Sequence, residues 1–255
     1  MAFALMGDVP YSQAQANLLD DMIERMNAKP LEFVVHVGDI TSGRGPCGNE
    51  WMEARKKQFE RFKAPFVLLP GDNDWTDCHR SGMDPRERLD NWRRLFCVPV
   101  ALDAFVRQKG RYCEHVRWIA GNRVFVGLNV QGSNNNLNRD PSEMGERMPE
   151  VFAWLDQAAK LAEGRDGLVV LMQANPFLKP RFGGANGFDG ILAKLRELGR
   201  AMPGRVLLVN GDTHEYRNDE PLPGLRRVEV YGWPHLRWLH ATLQDKALAV
   251  EPMLE

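Results

Sequence analysis

The run Phe33-Val34-Val35-His36-Val37-Gly38-Asp39 decides how this chain is read. Its first five residues are mostly branched or aromatic and uninterrupted, the pattern of a strand covered on both faces. Gly38 then permits a tight turn, and Asp39 stands at the carboxyl end of the strand. The same punctuation recurs on either side. Residues 2–6 run into Gly7-Asp8, residues 66–69 into Gly71-Asp72-Asn73-Asp74, and residues 206–209 into Gly211-Asp212-Thr213-His214. A further strand-like run, 168–172, ends in Gln173-Ala174-Asn175-Pro176. Any single Gly-Asp is most simply a turn or a helix cap. Four of them at the same end of their strands mark the edge where open α/β sheets bind ligands. Asp8, Asp39, Asp72 and Asp212 gathered without a counter-charge would raise one another's pKa, and a divalent cation removes that cost.

Amphipathic segments lie between the strands at 12–27, 49–62, 84–96, 150–162 and 188–202. In the first, Leu18, Leu19, Met22, Ile23 and Met26 share one helical face. Asp84 before Pro85 reads as an N-cap followed by proline in the first helical turn. Residues 124–130 add a strand, and 226–231 with 238–243 read as β-hairpin material. There is no internal repeat, low-complexity tract or linker. The pattern predicts one α/β domain over residues 1–255 with a layered sheet core.

Composition narrows the function class. Thirty-three basic against 34 acidic residues give a net charge of −1, which excludes a nucleic-acid binder at the level of whole-chain charge. No apolar run approaches the ~20 residues needed to span a bilayer. Met1 leads at once into the first strand without a signal-peptide pattern, which favours the cytoplasm; a trimmed leader would make the protein periplasmic or secreted. Cys47 and Cys78 sit in loop-like sequence where a bridge can form. Cys97 and Cys113 lie among apolar and aromatic residues and read as packing, and free thiols are the expectation for either pair.

At its acidic strand ends the chain resembles the calcineurin-like metallophosphoesterase superfamily, in order and over nearly the whole length. The family's Asp-any-His is represented by Asp8-Val9-Pro10, its Gly-Asp by Gly38-Asp39, its Gly-Asn-His-Asp/Glu by Gly71-Asp72-Asn73-Asp74, and its Gly-His-any-His by Gly211-Asp212-Thr213-His214. Gln173 stands where a histidine follows the next core strand. The resemblance implies a four-layer α/β/β/α sandwich with two central mixed sheets. It also implies two metals sharing Asp39. One would be held by Asp8, Asp39 and His214, with Pro10 lacking a donor atom; the other by Asp39, Asp72, Gln173 and Asp212. Asn73 takes the place of the histidine that helps protonate the leaving group, and an amide cannot shuttle protons near neutral pH. Four aspartates make a harder shell than the family's imidazoles, favouring Mg²⁺ or Mn²⁺, with Ca²⁺ also accommodated, in one or two sites.

Residues beside these motifs carry two readings each. His79 and Arg80 follow the third motif, where they would supply a proton and hold a phosphate oxygen, or merely structure a loop. Asn134, within Gly132-Ser133-Asn134-Asn135-Asn136, is either a substrate contact or a turn residue. Tyr11 and Arg217 flank the first and last motifs and are candidate substrate contacts. His36 reads as a satisfied core histidine; His115, His235 and His240 lack ligand spacing, and the tryptophans read as packing. The leading expectation is divalent-metal-dependent hydrolysis of a small-molecule phosphate monoester or diester. The alternative is a catalytically inactive relative that binds a metal or a phosphate ligand. Oligomeric state is not legible.

Overall fold

The computed structural model describes residues 1–179, 183–244 and 246–253. Two mixed sheets stack face to face. The first has five strands in the order β12 (Ala247–Pro252), β11 (Leu239–Gln244), β1 (Ala2–Met6), β2 (Val34–His36), β3 (Phe66–Leu68). Within it β1, β2 and β3 are parallel, while β11 runs antiparallel to β1 and β12 antiparallel to β11. The second has seven strands: β4 (Val106–Arg107), β5 (Val116–Ala120), β6 (Arg123–Gly127), β7 (Gly167–Leu171), β8 (Val206–Asn210), β10 (Leu225–Glu229), β9 (Arg217–Leu222). Strands β6, β7, β8 and β10 are parallel.

The period of two along each strand assigns its side chains to layers. Phe3 and Leu5 of β1 point between the sheets, against Val169, Leu171, Leu207 and Val209 of the second sheet. Ala4 and Met6 point the other way, onto α1 (Gln13–Asn27), α2 (Asn49–Phe59) and α3 (Pro85–Phe96). The outer face of the second sheet, including Val124, Leu168 and Val206, is covered by α5 (Pro141–Ala162) and α6 (Asp189–Ala201). The result is the expected four-layer α/β/β/α sandwich. Parallel strands buried on both faces explain why the core runs are continuously apolar.

Caps fall where the sequence places them. Ser12 Oγ accepts the Gln15 N–H ahead of α1, and Asp84 accepts the Glu87 N–H ahead of α3 with Pro85 in its first turn. Helix α5 starts nine residues before the expected boundary, carrying Pro149 inside it, because Asp140 caps an earlier start. The two late strands do not pair with each other. β10 forms its hairpin with β9 in the second sheet, and β11 forms its own with β12 while joining β1 in the first. Strand sequence fixes a propensity, and the partner comes from which edge is left open. Trp75, Trp92, Trp118 and Trp238 are fully buried as expected, whereas Trp233 is half exposed.

The cysteine expectation is corrected. Cys47 pairs with Cys78, and Cys97 with Cys113. Cys97 caps the end of α3, and the chain returns through β4 to bring Cys113 beside it, a fold-back that local apolarity does not reveal. No helix among the described residues is long and apolar enough to cross a membrane.

Candidate functional site

The carboxyl ends of β1, β2, β3, β7 and β8 meet at one edge where the two sheets abut, and the acidic motifs meet there. Asp8, Asp39, Asp212 and His214 all hold positive φ, between 54° and 84°. Aspartate tolerates this left-handed region better than most residues, and such strain persists where surrounding contacts over-determine it. Close glycine backbones let the carboxylates sit low. A Cβ on Gly71 would fall 1.9 Å from Asp39 Oδ1, and one on Gly211 would fall 2.1 Å from Asp8 Oδ2.

Asp74 builds the floor. Its carboxylate accepts backbone N–H bonds from Asp39 (3.0 Å), Ile40 (2.8 Å) and Gly71 (2.8 Å), tying the β2 turn to the β3 turn. Asp39 Oδ1 accepts the Asn73 N–H at 3.0 Å, and its Oδ2 accepts from Gln173 Nε2 at 3.1 Å and the Tyr11 hydroxyl at 3.2 Å. The Tyr11 oxygen also lies 3.0 Å from His214 Nε2 and accepts from Asn73 Nδ2 at 3.1 Å. Gln173 Oε1 accepts the Gly132 N–H at 2.6 Å, so the amide presents its donor side to Asp39. Asp8 accepts the Asp212 N–H, and Asp212 accepts the Asn175 N–H at 3.1 Å.

Electrostatics follow from this crowding. Burial, then the charges of Asp212 and Asp72, hold Asp8 well above the usual carboxylate range. Burial, then Asp72, does the same to Asp39, and the same two causes push Asp212 to about 8. Burial lifts Asp74 to about 7 against its three backbone donors, and burial with Asp72 lifts Asp77 to about 7 against Arg80. Tyr11 is pushed up by burial and by Asp39, so it remains a neutral phenol; burial lowers His214. Like charges in a desolvated site retain protons unless a cation joins them.

Whether a metal suits these residues can be judged from the donors. Among the described residues no group of three or more His, Cys, Asp and Glu side chains stands ready-made around an ion. Two carboxylates nevertheless frame a cradle. A Cβ on Gly132 would lie 2.7 Å from Asp212 Oδ1 and 2.8 Å from Asp72 Oδ2. Both donors are carboxylate oxygens, the hard type that Mg²⁺, Mn²⁺ and Ca²⁺ take, and Asp72 Oδ2 also accepts from Ser133. In donor type, though with two carboxylates alone, that half suits a hard cation better than a soft one. The half between Asp39 and His214 holds the Tyr11 hydroxyl.

The turn α4 (Gly132–Asn135) forms one wall. Ser133, Asn134, Asn135 and Asn136 all have φ between 49° and 66°, a short left-handed run. Its side chains anchor it. Asn134 accepts the Gly187 N–H at 2.8 Å, Asn135 accepts from the buried Arg147 at 2.8 Å, and Asn136 donates to Glu143 at 2.9 Å. Ser133 is thereby aimed at Asp72 (2.6 Å) and Asp77 (3.0 Å).

Outside lies a cleft of about 750 Å³, lined by His79, Arg80, Asn134, Arg139, Phe188 and Asp212 among others. His79 and Arg80 belong to a 3₁₀ helix (Thr76–Ser81) fastened to the preceding loop by the Cys47–Cys78 disulfide. His79 Nδ1 donates to the Thr76 carbonyl at 2.8 Å, since a carbonyl can only accept, and this leaves Nε2 for other partners. Arg80 pairs with Asp77 at 2.7 Å. Arg217 instead pairs with Glu215 and the buried Glu229, and donates to Thr213 Oγ1 at 2.6 Å, so its guanidinium braces the last motif. His36 is buried, accepting from Gly38 N–H and donating to the Val9 carbonyl, and burial lowers it to about 4. Sequence reasoning did not single out Asp74 as a scaffold, Ser133, or Glu229, which holds both Thr213 and Asn175. Asp74 had a signal in its motif; Glu229, alone at a strand end, had none.

Three solved structures align over nearly the whole chain. A dimetal phosphatase from Danio rerio shares 14% identity over 99% of this chain and 98% of its own, with a TM-score of 0.62. A purple acid phosphatase from yellow lupin (Lupinus luteus) seeds shares 12% over 99% of this chain and 51% of its own, with a TM-score of 0.63. GAP50, the anchor in the inner membrane complex of Plasmodium, shares 12% over 99% and 84%, with a TM-score of 0.56. At such identities the likeness establishes the fold. No curated protein matches the chain in sequence. The sequence profile of the calcineurin-like phosphoesterases, by contrast, matches residues 1–229, from the first acidic strand end through the last. That span contains every strand end that builds the acidic edge, and on it the chain belongs to the calcineurin-like phosphoesterase family.

Proposed function

We propose that this chain hydrolyses a small-molecule phosphate ester at the acidic edge, using a hard divalent cation, Mg²⁺ or Mn²⁺ ahead of Ca²⁺. The observation that carries the reading is the cradle at Gly132. There the Asp72 and Asp212 carboxylates converge, Asp72 also acts on the charge of Asp39, and the cleft lined by Asp212 opens alongside. Asp39, Asp72 and Asp212 would hold the cation, which when bound offsets the charge that develops on the phosphoryl oxygens. Arg80 would leave or share Asp77 to hold a phosphate oxygen. His79 Nε2 would give the leaving group its proton, a role Asn73 cannot fill because an amide does not exchange protons near neutral pH. Phe188, Leu178 and Asn134 would bound the leaving-group side. Two disulfides support an oxidising compartment over the cytoplasm.

The test is turnover of an aryl and an alkyl phosphate ester with saturating Mg²⁺ or Mn²⁺. Asp39→Asn should abolish both activities. His79→Ala should cut alkyl-ester turnover by ~10²-fold or more while sparing aryl esters, whose leaving groups need little protonation. Equal losses on both would remove His79 from the proton's path. A second reading, cation or phosphate binding without catalysis, draws on Asn73 and on the committed Tyr11 hydroxyl. A cation-dependent rise in melting temperature with no turnover of either ester would favour it.

A further inference from the structure

The cleft outside the acidic edge is larger than a phosphoryl group needs. At about 750 Å³ it falls within the ~300–1,000 Å³ typical of sites that enclose a whole small molecule. Its lining carries three cationic side chains, Arg80, Arg139 and Lys179, although the whole chain is close to neutral at −1. These three are not equivalent. Arg80 is answered by Asp77 at 2.7 Å and donates to the Gly43 carbonyl at 3.3 Å. Arg139 has an acid beside it in sequence, Asp140, but both oxygens of that carboxylate are taken by Arg86, at 2.8 and 3.1 Å. Among the described residues neither Arg139 nor Lys179 has an ion pair or a side-chain hydrogen bond, and both are exposed. Leu178, 44% exposed beside Lys179, supplies apolar surface to the same lining. The cleft therefore offers two uncommitted cations and an apolar face in addition to the groups already given a part in the reaction.

We propose that the ester taken here carries a second oxyanion on its leaving group, a carboxylate or a further phosphate, held by Arg139 and Lys179 while the carbon skeleton lies against Leu178. The proposal rests on the hydrolase reading above and narrows its substrate class to esters with two anionic groups. Arg139 and Lys179 become specificity-determining residues that act on binding and take no part in the proton transfer. An arginine fork matches either oxyanion in two-point fashion, and a neutral ester would leave both cations unanswered.

The experiment is titration calorimetry with ligands that cannot be hydrolysed, in low-salt buffer with saturating Mg²⁺, because exposed charge pairs are screened by salt. The probes are alkylphosphonates, ω-phosphonocarboxylates and α,ω-bisphosphonates, each over a range of chain lengths. At its best length a doubly anionic probe should bind about fivefold or more tightly than the alkylphosphonate of equal length, and the better of the two series identifies the second oxyanion. Arg139→Gln combined with Lys179→Gln should bring that preference to within about twofold while leaving the alkylphosphonates unchanged. Lys29→Gln, an exposed cation in the turn before β2, should leave the preference intact. No preference at any length would overturn the proposal, as would a preference that survives the double variant or falls equally in Lys29→Gln. In each of those cases binding of the simple alkylphosphonates leaves the hydrolase reading standing. Failure of every phosphonate to bind, together with no turnover of either ester class, would instead overturn the hydrolase reading and this proposal with it.

Discussion

Replacing Asp74 should destabilise the whole acidic edge. Its buried carboxylate satisfies three backbone N–H groups, those of Asp39, Ile40 and Gly71, at 2.8–3.0 Å. A buried donor left without a partner costs about 1–3 kcal/mol. Three such donors would cost about 3–9 kcal/mol, and water entering the vacated space recovers part of that, so Asp74→Ala should lose at least about 3 kcal/mol. Against a typical domain stability of about 5–15 kcal/mol, such a loss is severe. Asp74→Asn keeps one acceptor oxygen and turns an NH₂ towards the remaining donors, and should lose less, about 1–2 kcal/mol. Urea unfolding followed by tryptophan fluorescence measures both, provided the denaturant slope is unchanged. The opposite outcome has a physical basis too, because burial raises this carboxyl to about 7 and removing a buried ionisable group can stabilise. A loss under about 1 kcal/mol in Asp74→Ala would show that desolvation outweighs the three hydrogen bonds, and the scaffold argument would fail.

With a chelator present, melting temperature should fall between pH 6.5 and 8. Asp212, at about 8, and Asp74 and Asp77, at about 7, hold protons that the unfolded chain has lost, so their contribution fades as pH rises through those values, at about 1.4 kcal/mol per pH unit for each retained proton. Below about 6.5 the neutral buried His36 and His115, both lowered to about 4, act in the opposite sense, which is why that window is chosen. Saturating Mg²⁺ should flatten the slope, and a melting temperature that rises with pH in chelator would contradict the crowded-carboxylate picture. Cys47→Ser with Cys78→Ser opens a 31-residue loop and should cost about 3–4 kcal/mol by chain entropy; a loss below about 1 kcal/mol would show that the loop is held by its other contacts. Asn135→Ala leaves Arg147 short of a partner and puts alanine at φ 54°, and should cost about 2–4 kcal/mol in urea unfolding, whereas a neutral result would show that the left-handed turn needs no anchor there.

The sequence determined the layers and the placement of the acidic groups. An uninterrupted apolar run such as 33–37 suits a strand covered on both faces, and glycine followed by aspartate at the same end of several such strands gathers the carboxylates at one edge. That local logic was enough to place Asp8, Asp39, Asp72 and Asp212 at one edge, and to cap α1 at Ser12 and α3 at Asp84. What each group touches depends on elements far apart in the chain, and no spacing encodes it. Tyr11 meets His214 across 203 positions, Gln173 meets Asp39 across 134, and Ser133 reaches Asp72 across 61. The same holds for the Cys97–Cys113 disulfide and for β11, which bonds to β1 at the opposite end of the chain. Strand and helix follow from periodicity, which is a property of neighbours. The phenol standing between Asp39 and His214 follows from how two sheets pack, and only the tertiary structure could put it there.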